Sequence, residues 1–137
     1  MMYRAFHAQR HYLRPLASKI GLGSGQPKIL AYLAESGPCS QREIADYFEI
    51  DPAAVCRMID LMQKNGIISI KPDNADRRSD LITLTQKGYS AGKEWKQSCN
   101  EAENIMLQGF SDDEKIKFAE YLVRSYRNLR SADKSSE

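Results

Sequence analysis

Apolar residues recur at helical spacing through most of this chain and alternate in only one short region. Over residues 1 to 20, Tyr3, Phe6, Leu13, Ala17 and Ile20 fall on one stripe with Arg10 and Arg14 between them, which predicts a first helix. Gly21, Gly23 and Gly25 break it, and Pro27 suits the first turn of a second helix carrying Ile29, Leu30 and Leu33. Ser36, Gly37 and Pro38 end that helix. Ser40-Gln41-Arg42-Glu43 has the form of a capping box, in which a hydroxyl and a carboxylate each satisfy the other residue's backbone amide. A short helix from Gln41 to about Phe48 follows. Asp51-Pro52 joins an N-cap acid to a proline at the first helical position, opening a helix that buries Val55, Ile59 and Met62 and closes at Asn65-Gly66.

The alternating region comes next. Ile67 to Lys71 and Asp80 to Leu84 are β-branched runs on either side of a long polar stretch, which is a hairpin signal. Thr85 is placed to cap a helix of about twenty residues with Tyr89, Trp95, Cys99, Ala102 and Met106 on one stripe. A second capping box, Ser111 to Glu114, opens a last helix whose stripe is Ile116, Ala119, Leu122 or Val123, Tyr126 and Leu129. The polar residues 131–137 read as a flexible tail. The order of short helix, four-residue connection, second helix and hairpin is that of a winged helix-turn-helix. The expected fold is therefore mainly α with a small β-hairpin wing, flanked by N- and C-terminal helices. A helix fits the major groove of duplex DNA, and a hairpin tip can reach the neighbouring minor groove.

Composition narrows the function classes. With 137 residues, 42% of them hydrophobic and 28% charged, the chain is sized for one folded domain. No run is long and apolar enough to span a bilayer, and the first twenty residues carry Arg and His where a secretion signal would be apolar, so a cytoplasmic protein without membrane contact is expected. Cys39, Cys56 and Cys99 fit neither a disulfide framework nor a paired metal motif and read as reduced thiols. His7 and His11 share a helix face, but no third ligand accompanies them, so no metal or cofactor is expected. An enzyme lacks its parts, since there is no glycine-rich phosphate loop, no HExxH and no GxSxG. The net charge of +2 is unevenly spread: residues 1–39 hold five basic and one acidic side chain, whereas residues 40–80 hold six basic and eight acidic. DNA affinity would then rest on a few placed cations rather than on a broad basic footprint.

Residues 40–88 carry a more specific signal. A helix ending Leu-Met-Gln-Lys-Asn-Gly before Ile67-Ile68, the wing motif Asp76-Arg77-Arg78, and Leu-Thr-x-x-Gly from Leu84 to Gly88 together resemble the MarR family of bacterial transcriptional regulators. With its flanks the resemblance spans residues 1–130. It implies one domain in which residues 26–84 form the DNA-binding lobe and residues 1–20 and 85–130 supply dimerisation helices. Tyr3, Phe6, Leu13, Ile116, Ala119, Leu122, Tyr126 and Leu129 would then form a core shared between two chains.

The same resemblance implies the site. Ala53, Ala54, Cys56 and Arg57 would face the major groove, where Arg57 can bond guanine O6 and N7 or hold a phosphate. Arg78 would enter a minor groove with Asp76 bracing it, and Arg77 would meet phosphate. Ser40 and Gln41 can donate to phosphate, cap their helix, or both. Cys56 stands where the family commonly has Thr or Ser, and Ala75 where it often has another Arg. Many members release DNA when a small aromatic molecule fills a cleft beside the dimerisation helices. His11, Arg14, Tyr32 and Trp95 are candidates for binding an anionic aromatic effector, the alternative being that they pack or lie on the surface. The expected protein is a homodimeric regulator, more often a repressor, on a pseudo-palindromic duplex. The competing reading is a winged-helix module that docks on another protein.

Overall fold

The structure is a computed structural model and describes residues 1–72 and 80–133, the side chain of Asp133 apart. It falls into two compact units, Met1–Ala102 and Glu103–Glu137. Helix α1 spans Met2–Lys19, α2 Gln26–Ser36, α3 Gln41–Phe48, α4 Pro52–Lys64, α5 Gln86–Met106 and α6 Asp112–Asp133. Strands β1 (Cys39–Ser40), β2 (Ile68–Pro72) and β3 (Asp80–Leu84) make an antiparallel sheet in the order β1-β3-β2.

Local chemistry sets the helix ends of the first unit. The Glu43 amide donates to Ser40 Oγ (3.2 Å) and the Ser40 amide to Glu43 Oε2 (2.7 Å), completing the capping box of α3. Asp51 Oδ2 accepts from the Ala54 amide (3.1 Å) at the start of α4. At the end of α4, the Ile67 amide reaches Met62 O and the Gly66 amide reaches Gln63 O, both at 2.9 Å. This double closure leads the chain directly into β2. The turn between α3 and α4 is made by Glu49, the one non-glycine residue with positive φ (54°) among those described.

The core lies where α2, α3 and α4 meet the sheet. Ile29, Leu30, Ile44, Val55, Ile59 and Ile82 are all essentially inaccessible, and each such side chain contributes about 1.5–3 kcal/mol on burial. The sheet exceeds the expected hairpin by one strand, because Cys39 pairs with Ile82 and Ser40 with Leu81. Two residues before a helix cap carry too little pattern to announce a strand.

Helix α5 departs from its expected stripe. Trp95 and Ala102 are buried and Cys99 is half-buried, but Tyr89 and Met106 are exposed. Gly88, Ala91 and Gly92 are buried instead. A methyl group on Gly88 would overlap the Ile67 carbonyl oxygen, and one on Gly92 would touch Ala34 and Leu30, so α5 packs through its smallest residues. Thr85 secures this joint: its hydroxyl donates to Gly66 O (2.6 Å), with Ile67 O at 3.1 Å, and accepts from the Gly88 amide (3.0 Å). Lys87 Nζ adds a bond to Asn65 O (2.8 Å) at the end of α4.

In the second unit, Ser111 and Glu114 form the cap of α6, with the Glu114 amide on Ser111 Oγ (3.3 Å) and the Ser111 amide on Glu114 Oε2 (2.8 Å). The Ser111 amide, and the Ser111 hydroxyl that donates to the same Oε2 (3.0 Å), hold the Glu114 carboxyl below its ordinary range. Phe110 and Phe118 pack edge to face at 6.0 Å. Helix α6 continues through Ser131, Ala132 and Asp133, where a tail was expected, and Ser131 Oγ bonds Arg127 O (2.9 Å). Residues 134–137 lie outside the described residues.

Candidate nucleic-acid interface

The capped start of α4 sets the interface. With Val55, Ile59 and Met62 turned into the core, the helical period leaves Ala53, Cys56 and Arg57 exposed on one face and Ala54 half-buried beside it. Arg57 makes no ion pair with any described residue. Asp60 continues this face one turn on, with Oδ2 4.0 Å from Cys56 Sγ; its i to i+4 spacing from Cys56 was the signal for it in the sequence.

Ser40 and Gln41 lie where α3 begins. Ser40 is committed to its capping box, and Gln41 Nε2 donates to Pro52 O (3.4 Å), linking the first turns of α3 and α4. Gln41 thus helps set the angle of α4. Asp76, Arg77 and Arg78 lie outside the described residues, although β2 and β3, which lead to them, are paired throughout, with Ser69 and Thr83 hydroxyls 2.7 Å apart.

The cysteines sort by burial. Cys56 is exposed and Cys99 half-buried, whereas Cys39 is buried in β1. Burial, reinforced by the Glu43 carboxylate, pushes the Cys39 thiol up to about 11, so it stays protonated at neutral pH and is a poor nucleophile. Among the described residues no group of three His, Cys, Asp or Glu side chains gathers to hold a metal ion. No helix among them is long and apolar enough to cross a membrane.

A cleft of about 700 Å³ opens in the first unit, lined from α1 by Phe6, Arg10, Leu13 and Arg14, from the following loop by Leu22 to Gly25, from α2 by Pro27 and Lys28, and from α5 by Trp95. Arg14 and Trp95 were expected in such a place. His11 is exposed elsewhere on α1, and the Tyr32 ring packs tilted against Tyr47 (4.5 Å) and edge-on to Phe48 (5.8 Å) rather than lining the cleft. Arg10 and Lys28 went unrecognised; the i to i+4 pair Arg10 and Arg14 was the available signal. Among the described residues no carboxylate lines the cleft. The N-terminus of α2 borders it without a side-chain cap or an acidic residue in its first turn, adding the positive end of a helix dipole.

A capped pair of short helices, a three-stranded antiparallel sheet and an exposed face on the second helix define a winged helix-turn-helix protein. The MarR family profile matches residues 22–79. Among curated relatives, the HTH-type transcriptional regulator YxaD of Bacillus subtilis is 31% identical over 70% of this chain and 67% of its own length. YwoH of the same organism is 29% identical over 77% and 76%. A third, the HTH-type transcriptional repressor YetL of Bacillus subtilis, is 25% identical over 90% and 72%. The chain belongs to the MarR family, whose members are DNA-binding transcriptional regulators rather than enzymes. Solved structures agree in fold. A MarR family regulator from Listeria monocytogenes, complexed with a 26mer DNA, superimposes with a TM-score of 0.88 at 21% identity, covering 96% of this chain and 87% of that one. BpsR of Bordetella bronchiseptica, whose DNA binding is regulated by 6-hydroxynicotinic acid, gives 0.78 at 24% identity over 92% and 89%.

Proposed function

We propose that this chain is a homodimeric transcriptional repressor of the cytoplasm that binds a pseudo-palindromic operator and leaves it when an anionic aromatic molecule fills the cleft. The observation that carries the DNA reading is the exposed face of α4, where Ala53, Cys56 and Arg57 stand clear of the core on a helix capped at both ends. Arg57 would bond a guanine or a phosphate, and Ala53 or Ala54 would meet a thymine methyl. Arg77 and Arg78, braced by Asp76, would carry the minor-groove and phosphate contacts of the wing. Two copies present two such helices, with half-sites about 34 Å apart along the duplex.

Support for a dimer comes from exposed apolar side chains on each unit. Helix α6 exposes Ile116, Leu122, Val123, Tyr126 and Leu129 (68% accessible), and the first turns of α1 expose Tyr3 and Phe6. Faces of this kind mark association surfaces. The repressor assignment leans on the relative YetL, which is named a repressor. Support for the effector comes from the cleft itself, where Arg10, Arg14 and Lys28 would hold a carboxylate and Trp95 would receive a ring. BpsR, regulated by 6-hydroxynicotinic acid, supplies a parallel.

The acidic balance of residues 40–80 favours a second reading, a module that docks on a protein. Selection of duplexes from a random-sequence pool, with the mass of the bound complex measured, tests both. An inverted repeat bound by two chains, with affinity falling steeply as salt rises, is the expected result. A folded protein that enriches no duplex at low salt would support the docking module instead.

A further inference from the structure

The loop between α1 and α2 meets both the cleft and α4. Leu22, Gly23, Ser24 and Gly25 form one wall of the cleft. Gly25 also packs against the half-buried Met58, which belongs to α4 and adjoins Arg57 in sequence. The approach is close: a methyl group on Gly25 would lie 2.5 Å from Met58 Sδ. Gly25 also holds φ +80° and is the N-cap of α2, so its position is tied to the helix that borders the cleft.

We infer that Met58 is the positioning residue through which the cleft acts on the recognition helix. The inference rests on the proposed role of the cleft. A guest against Leu22 to Gly25 that displaces the loop presses on the Met58 thioether, whose packing against the core limits the rotamers into which it can retreat. Helix α4 is pinned at its far end, where Thr85, Lys87 and Gly88 grip Asn65, Gly66 and Ile67. A push at Met58 therefore tilts its first turns, which carry Ala53 and Arg57, relative to the pinned end. A guest shifts the equilibrium only as far as it favours the tilted arrangement, and its affinity for the DNA-bound form falls by the same factor.

A double-mutant cycle reads the link without a guest. In Gly25→Ala the added methyl presses on Met58 from the cleft side and should weaken binding to the selected duplex about tenfold or more, a typical coupling. In the Met58→Ala background the same Gly25→Ala change should cost about threefold or less, because the overlap is gone. Equal losses in both backgrounds would overturn the inference and assign the effect to backbone strain at Gly25. Should Gly25→Ala fail to fold, Met58→Ala alone carries the test, with benzoate as probe. Trp95 is the chain's single tryptophan and lines the cleft, so its fluorescence reports occupancy separately from release of DNA. Benzoate should change that fluorescence equally in wild type and Met58→Ala but weaken duplex binding only in wild type, with Met58→Leu behaving as wild type. Full release by benzoate in Met58→Ala would sink the link. A wild type in which benzoate changes neither fluorescence nor duplex affinity would instead overturn the reading of the cleft as an aromatic-carboxylate site, while the cycle still decides the contact.

Discussion

Arg57 and Cys56 occupy one exposed turn of α4, and each supplies a separate test of that face. Arg57→Ala should weaken operator binding by about 1–3 kcal/mol and relax preference at one base pair, as read by repeating the duplex selection with the variant. A uniform loss across sequences would place Arg57 on phosphate instead. Cys56 should react with a thiol reagent in the free protein and be shielded by bound operator. Cys39 should stay unlabelled until the protein unfolds, because burial and Glu43 keep its thiol protonated up to about pH 11. Its raised value also has a sign: the folded state favours the protonated thiol, so stability is intact below the ordinary value of 9.0 and declines as pH rises toward about 11. Labelling in stages, monitored by mass, checks the order. Exposure was legible in the sequence where the phase of a helix sets it, as at Arg57 and Cys56. Tyr32 shows the opposite case: its ring type suited a binding cleft, but its neighbours Tyr47 and Phe48, fifteen or sixteen positions away, decided its place.

Elements whose ends depend on a side chain bonding the adjacent backbone were readable for the same reason. The capping boxes at Ser40 and Ser111, the Asp51 cap and the Asn65-Gly66 closure involve partners within a few positions. The seam between α5 and the end of α4 was not, because Gly88 and Gly92 matter for what they lack, and a stripe counted from large residues passes over them. The motif Leu-Thr-x-x-Gly acquires its physical meaning here: Thr85 bonds the backbone of Gly66 and Ile67, and Gly88 lets that backbone approach. Gly88→Ala should destabilise the protein by about 1–3 kcal/mol, the range for overpacking, although alanine is the better helix former. Thermal melting checks this; an unchanged or higher midpoint would show that the seam can open at no cost.

At the scale of the whole molecule, the exposed residues of α6 set the expectation. Replacing Leu122 and Tyr126 together with Glu should yield a species of single-chain mass by sedimentation, whereas the wild type should sediment at twice that mass. The wild type's melting midpoint should rise with protein concentration, since association stabilises only the folded chain. The variant should also bind the operator much more weakly, having lost its second half-site contact. A monodisperse wild-type monomer would remove the dimer from the proposal. This stripe was legible as periodicity, and its exposure gives the periodicity its meaning.

The short pairing of Cys39 with Ile82 and Ser40 with Leu81 has a further consequence. Ser40 ends a strand and caps a helix at once, so the base of the wing and the start of α3 share a single hydrogen-bonded corner, while Gln41 ties α3 to α4. In the proposed dimer each lobe would then act as a caliper with a locked jaw. Along an operator, the distance from the bases read by α4 to those beneath the wing should be invariant, and natural variation in length should fall between the two half-sites.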